Sequence, residues 1–251
     1  MKIFLKPLQF IYASYAMILF VIILFLVTPF VIFASLFGKF KGGNAVMKIA
    51  HGWADVWLLL IGIYHKRIVE QELKEQQPYI FVSNHNSYMD IPQMLKAIRR
   101  PLRILGKAEM GKVPVFGIIY NACVVPVLRG SAEARAKSVL MLKSVLNKEI
   151  SIYIAPEGTF NMTNKPLIDF YDGAFRLAIE TQTTIKPILF LDGVRRMNWR
   201  SVFAMTPGNM RTVYLEEISP VGYTVDQLKQ KVYELMEQKL VYYKASWINP
   251  L

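Results

Sequence analysis

Residues 79–92 read YIFVSNHNSYMDIP. The first six, YIFVSN (79–84), are rich in β-branched and aromatic side chains and predict a buried strand. The polar remainder, SNHNSYMDIP (83–92), is a loop running into a predicted helix. A strand that passes through a loop into a helix is the repeating unit of an α/β sheet. The unit recurs along the chain. LRILGK (102–107), CVVPVL (123–128), SIYIAP (151–156) and IKPILFLD (185–192) read as further buried strands. Helical stretches lie between and after them. Ser131 opens one, with Val139, Leu142, Val145 and Leu146 on a shared face. Gly173 to Thr181 is another. Thr224 and Gln227 match a capping box, followed by an apolar stripe of Leu228, Val232, Leu235 and Met236. The expected fold is α/β, with a mostly parallel or mixed sheet covered by helices on both faces.

Composition narrows the partners. Of 251 residues, 53% are hydrophobic and 19% charged, which argues against a disordered chain. Thirty Lys+Arg against eighteen Asp+Glu leave +12, so anionic partners are expected: lipid headgroups, phosphates, an acidic carrier protein or nucleic acid. One cysteine, Cys123, rules out an internal disulfide framework and Cys-based zinc sites, and three histidines leave little for a His-rich metal centre.

The N-terminus carries no charge from residue 10 to residue 38 (FIYASYAMILFVIILFLVTPFVIFASLFG). About 20 apolar residues suffice for a helix to cross a bilayer core. A membrane-associated helical segment is therefore expected, either a tilted single span or a bent pair with Pro29 disrupting the ladder. Lys2 and Lys6 flank one end, Lys39 and Lys41 the other. A second stretch, Ala45 to Ile63, carries Trp53 and Trp57, which suit either a membrane interface or a core-facing helix. The basic remainder favours the cytoplasmic side of the membrane for the rest of the chain.

Three segments carry chemistry, each at a predicted strand end, where α/β folds collect their sites. His85 and Asp90 are five residues apart. On one helix they would point about 140° apart, so they meet only if a loop leads from His85 into a helix starting near Asp90. The carboxylate then fixes the imidazole tautomer, and the other nitrogen can take a proton from a hydroxyl. The same spacing also fits a helix-capping Asp90 beside a hydrogen-bonded loop histidine. In GKAEM (106–110), Lys107 can hold a phosphate as a point charge, or pair with Glu109 on a solvated loop. In APEGTFN (155–161), Glu157 can accept from polyol hydroxyls, and the amides around Gly158 and Thr159 can hold an anion; a plain Pro-Gly turn fits as well.

Taken in order, His85-x4-Asp90, GKAE, PEGT and a proline after a β-run (IKPI, 185–188) resemble the glycerolipid acyltransferase family, closest to the bacterial 1-acyl-glycerol-3-phosphate acyltransferases. The resemblance covers roughly His51 to Phe190. It implies an O-acyltransferase with His85 as general base on the acceptor hydroxyl and Asp90 as its orienting partner. Lys107, Glu109, Arg129, Glu157, Gly158 and Thr159 would bind the acceptor, and Pro187 would lie on the acyl side. It implies no metal, cofactor or covalent acyl-enzyme. The partners would be a lysolipid acceptor, an acyl-CoA or acyl carrier protein donor, and the membrane, with no nucleic acid. The expected organisation is a hydrophobic membrane-associated helical region over 1–65 and an α/β acyltransferase domain over 66–251.

Two positions depart from the family pattern. Phe160 stands where an arginine usually follows Gly-Thr, and Tyr171 with Asp172 replace the usual basic residue before Gly173. A phosphate-bearing acceptor would then rely on Lys107, Arg129 or Arg176. The expected reaction is transfer to 1-acyl-glycerol-3-phosphate, giving phosphatidic acid. The alternatives are a lyso-amino-acid lipid acceptor (ornithine or glycine lipid), or a lipid esterase or thioesterase activity using the same dyad. No G-x-S-x-G elbow supports a serine lipase.

Overall fold

The computed structural model describes residues 2–75, 77–127 and 131–248. Seven strands form one sheet: β1 (Ile63–Val69), β2 (Ile80–Ser83), β3 (Leu102–Lys107), β4 (Val124–Val127), β5 (Ser151–Ile154), β6 (Ile185–Phe190) and β7 (Gly208–Tyr214), in the spatial order β1-β7-β6-β2-β5-β3-β4. Every pairing is parallel except β6 with β7. The sheet is therefore mixed, and all five strands expected from the sequence are present.

Alternation along the central strands assigns side chains to two cores. Ile80, Val82, Ile152, Ile154, Ile185 and Leu189 share one cluster; Phe81, Tyr153, Ile188 and Phe190 share the other. The first face is covered by α5 (Ala132–Leu146), α6 (Gly173–Thr181) and α8 (Val225–Tyr242). The second is covered by α2 (Gly43–Leu60), α3 (Asp90–Ala97) and α4 (Phe116–Cys123). Helix α8 shows what holds such a layer. Its capping box is formed, with Thr224 Oγ1 accepting from Gln227 N and Gln227 Oε1 accepting from Thr224 N. A cap is worth about 1 kcal/mol. Leu228, Val232, Met236 and Leu240 are fully buried, at roughly 1.5–3 kcal/mol each, so packing decides and the cap sets the start.

Pro187 lies inside β6, a central strand, where a missing N–H is usually excluded. Its carbonyl accepts from Leu215 N at 3.1 Å. The missing donor faces the same edge, beyond the Ile188–Phe190 stretch that pairs with β7, so no ladder bond to β2 is lost.

At the N-terminus α1 (Lys2–Ser35) runs unbroken through Pro29. Reversal comes later, at a π-helical turn over Gly38–Gly42, and α2 then packs back along α1. Tyr12 Oη donates to Ile61 O at 2.6 Å and Trp57 Nε1 to Ala16 O at 2.9 Å. A Cβ on Gly42 would stand 2.5 Å from Ala34 O, which is why the turn needs glycine. Trp57 is buried and stacks on Trp53, with Phe20 edge-on to both. These tryptophans face the core. The outer surface of the hairpin shows Ile11, Ile18, Ile22, Phe25, Leu26 and Phe33 to solvent. Pro7–Ser35 is long and apolar enough to cross a membrane, by length and composition.

Arg103 ties the turn down. It is buried, and its guanidinium donates to Lys39 O, Phe40 O and Asn44 Oδ1 at 2.7–3.1 Å. Its neighbours are engaged too: Arg99 pairs with Asp55, and Arg100 donates to Gln77 O and Lys74 O. All three arginines are thus engaged within the fold.

Candidate active site

The parallel strands β2, β3, β5 and β6 end on one side of the sheet, and the loops there form the site. The chain leaves β2 at Ser83 and enters α3 at Asp90. Asn84 anchors the start of the loop: its side chain donates to Phe190 O and accepts from Phe190 N, both at 2.9 Å. The loop then folds over Asp90. Asp90 Oδ2 accepts from Asn86 N at 2.9 Å, Ser87 N at 3.0 Å and His85 Nδ1 at 2.8 Å. Its side chain is fully buried, while that of His85 is 25% exposed. Asp90 thus opens α3 beneath three converging N–H groups. A carboxylate can only accept, so Nδ1 carries the proton and Nε2 presents its lone pair outward.

The APEGTFN loop grips His85 from the other side. Glu157 Oε1 accepts from His85 N at 2.8 Å, and His85 O accepts from Asn161 N at 2.7 Å. Glu157 is buried, and its other oxygen accepts from Ile168 N at 3.4 Å. Its partners are backbone amides, so it braces the loop. Gly158 adopts φ +66°, and a Cβ there would stand 2.8 Å from the Tyr171 ring. The Gly158 N–H donates to Ala155 O within the turn, which occupies one of the amides expected to meet an anion. Thr159 is exposed.

Burial pushes the Glu157 carboxyl up to about 8, against the opposing pull of the His85 and Ile168 amides. A carboxyl raised on folding adds stability that is full below its ordinary range and is lost as pH rises through the folded value. Stability should therefore fall between about pH 5 and pH 8, by at most about 1.4 kcal/mol per pH unit from this group. Glu157→Gln should flatten that slope. Urea midpoints for both proteins at three pH values test it, and parallel profiles would refute it.

Lys107 ends β3 exposed, and Glu109 is exposed on the 3-10 turn that follows, Ala108–Lys112. No ion pair joins them among the described residues. Arg129 lies outside the described residues. Pro187 is buried within the sheet, three residues before the end of β6. Asp172 pairs with Lys229 at 2.6 Å. The other histidines are elsewhere: His51 is buried on α2, and His65 Nε2 meets Thr212 Oγ1 at 2.9 Å. Burial drives both imidazoles down to about 4.

Two features escape the sequence reading. Phe160 lies against the His85 ring, centroids 4.4 Å apart, and edge-on to Tyr88 at 5.0 Å. Gly193, at the start of the short helix α7 (Gly193–Arg196), backs the dyad. A Cβ there would stand 2.9 Å from Ser87 Cβ and 3.0 Å from Asp90 Oδ1. Ser87 Oγ reaches across to Met197 O at 2.7 Å. The position of Phe160 is visible in the motif, but its contact with a ring 75 positions earlier is not.

The sequence model of the Acyltransferase family matches residues 66–191. The chain is 24% identical over 192 residues to a chloroplastic 1-acyl-sn-glycerol-3-phosphate acyltransferase of Arabidopsis thaliana, covering 75% of this chain and 53% of that one. It is 24% identical over 212 residues to the 1-acyl-sn-glycerol-3-phosphate acyltransferase of Haemophilus influenzae, covering 81% and 85%. The chain thus spans about half the length of the plant relative and most of the bacterial one. The crystal structure of the 1-acyl-sn-glycerophosphate acyltransferase PlsC of Thermotoga maritima superposes with a TM-score of 0.75 at 20% identity, covering 98% of each chain. At that identity the likeness speaks to the fold.

Proposed function

The chain belongs to the acyltransferase family, and from that premise we propose that it is a membrane-bound O-acyltransferase. In this reading it moves a fatty acyl group from a thioester donor, acyl-CoA or acyl carrier protein, to the hydroxyl of a lysolipid. The first acceptor is 1-acyl-glycerol-3-phosphate, which the curated relatives are named for, and the product is phosphatidic acid. The observation that carries the reading is the contact of His85 Nδ1 with Asp90 Oδ2 at 2.8 Å, in a histidine whose side chain is part exposed beside a fully buried carboxylate.

The chemistry follows from that geometry. His85 Nε2 takes the hydroxyl proton as the acceptor oxygen attacks the thioester carbonyl carbon. Negative charge builds on the carbonyl oxygen and is steadied by backbone N–H groups or a nearby cation. The C–S bond then breaks, and the departing thiolate takes the proton from the imidazolium. Asp90 keeps its charge throughout, stabilising the imidazolium. Glu157 acts at a distance from the chemistry, holding the His85 backbone. Lys107 is the exposed cation offered to the acceptor at the end of β3.

The hairpin of α1 and α2 supplies the membrane contact in this reading. Its exposed apolar face needs a lipid surface, and Pro7–Ser35 is roughly 44 Å of helix against a core of about 30 Å. Residues 1–65 serve as the anchor and 66–251 as the catalytic domain, on the cytoplasmic side of the inner membrane.

Phe160 favours a second reading. Beside the base it puts an aromatic ring where a guanidinium would grip a phosphate through paired hydrogen bonds. A lyso-amino-acid lipid, whose headgroup carries no phosphate, suits that wall. An acceptor panel separates the readings. Purified protein is given an acyl-CoA with lysophosphatidic acid or with lyso-ornithine and lyso-glycine lipids, and ester product is counted against free fatty acid. The first reading expects lysophosphatidic acid to be acylated best. A preference of tenfold or more, on the order of 1.4 kcal/mol, for an amino-acid lipid establishes the second. Fatty-acid release in excess of transfer overturns both and makes the protein a hydrolase.

A further inference from the structure

A cavity of about 600 Å³ opens beside α7, lined by Lys66, Arg195, Arg196 and Arg211 with Asp192 as its one carboxylate. Four cations against one anion is a strong local excess. Arg211 is spent on Asp192, which it contacts through Nε and Nη2 at 2.8 Å. Lys66 and Arg195 are exposed, and neither pairs with a carboxylate among the described residues. Arg196 is 8% exposed. Its Nη1 donates to the carbonyls of Thr206 and Pro207, its Nε has no partner among the described residues, and no carboxylate pairs with it. Gly208 adopts φ +123°, and a Cβ there would stand 2.7 Å from Arg196 Nη1, so the backbone is cut away to admit the guanidinium. The carboxylate that acts on Arg196, Asp192, already pairs with Arg211; a nearly buried cation with no direct ion pair is costly, and an anion in the cavity would offset that cost.

The cavity adjoins the candidate active site. The α7 turn forms its wall through Arg195 and Arg196, and the first residue of that turn, Gly193, lies against Asp90 and Ser87. The loop from Met197 to Met205, closed by a bridge between those two residues, leads into Thr206 and Pro207 of the cavity lining and touches α1 through Phe203 and Phe10, rings 5.1 Å apart.

We propose that this cavity binds a phosphate group of one of the two substrates, with Lys66, Arg195 and Arg196 as its ligands. The proposal rests on the acyltransferase reading for the identity of the substrates. Its chemistry is a phosphate ester, from either the lysolipid headgroup or the donor's coenzyme A. The volume exceeds what one phosphate needs and falls in the range of small-molecule sites, about 300–1,000 Å³. With Phe160 beside His85, this cavity supplies cations that the wall of the dyad does not.

Binding, measured without turnover, keeps this test apart from the question of activity. The full chain in detergent micelles is titrated with coenzyme A and with lysophosphatidic acid. Pantetheine and monoacylglycerol serve as their phosphate-free counterparts. The variant carries Lys66→Gln and Arg195→Gln, both exposed positions, so its fold is expected to hold; a thermal melt verifies this. Losing two charge-assisted contacts should weaken the phosphate ligand by roughly 10- to 100-fold and leave its counterpart within twofold. A loss for coenzyme A assigns the donor, a loss for lysophosphatidic acid assigns the acceptor, and a loss for both marks a site open to either. Unchanged binding of both overturns the proposal, as does an equal loss for the phosphate-free ligands. Near-wild-type acyl transfer by His85→Ala would remove the catalytic reading and leave this binding result standing.

Discussion

His85→Ala should lower acyl transfer by roughly a thousandfold, the middle of the range for a removed general base, while the protein stays folded. The ring can be lost without the loop. His85 is held by its backbone, through Glu157 Oε1 at its N–H and Asn161 N at its carbonyl, and alanine keeps both bonds. Asn86 and Ser87 still donate to Asp90 Oδ2. What goes is the Nδ1 bond and the contact with Phe160, the latter worth about 0.5–1.5 kcal/mol. The melting temperature should therefore move by a few degrees only, while the initial rate collapses. A variant that retains a tenth of the wild-type rate would remove His85 from the reaction.

How much of this was readable from the chain depends on the distance over which each residue works. The central strands were legible because IFVS and its neighbours are apolar on both faces, and the capping box of α8 spans three positions. Strands β1 and β7 were not. IYHKRIV and GNMRTVY carry charge, and their polar residues are satisfied by remote partners: Thr212 by His65 and Gln93, Arg211 by Asp192. The dyad was legible as a spacing of five, since a loop and a helix start can bring such a pair together. Glu157 was visible as a motif carboxylate, but its partner is the backbone of a residue 72 positions away, and no pattern in sequence reports a backbone amide. Of the two shapes the sequence allows for residues 10–38, a single span or a pair bent at Pro29, α1 takes the unbroken one, since it tolerates a missing N–H; the chain reverses at Gly38–Gly42, where the close approach of Gly42 to Ala34 requires a residue without a Cβ.

Asp90→Asn separates orientation from mere packing, since the side chain keeps its size and loses its charge. Oδ2 receives three N–H bonds, and an amide has two ways to sit. With its oxygen toward the donors, the loop geometry survives but the imidazolium loses its counter-charge in the transition state. With its NH2 toward them, it opposes Asn86 N and Ser87 N, and the imidazole must present a bare Nδ1. The proton then moves to Nε2, the nitrogen that has to accept one. Either arrangement lowers the rate, and roughly a thousand- to ten-thousandfold is expected by analogy with other oriented histidines. Charge-assisted hydrogen bonds are worth about 1.5–3 kcal/mol each and are weakened here without being abolished, so about 2 kcal/mol of stability should go. For a chain of this size that is a shift of roughly 4–8 °C in Tm. Rates measured well below the melting range isolate the chemical effect. If the asparagine variant works within tenfold of wild type at such a temperature, Asp90 is holding the loop, and the imidazole is steered by something else.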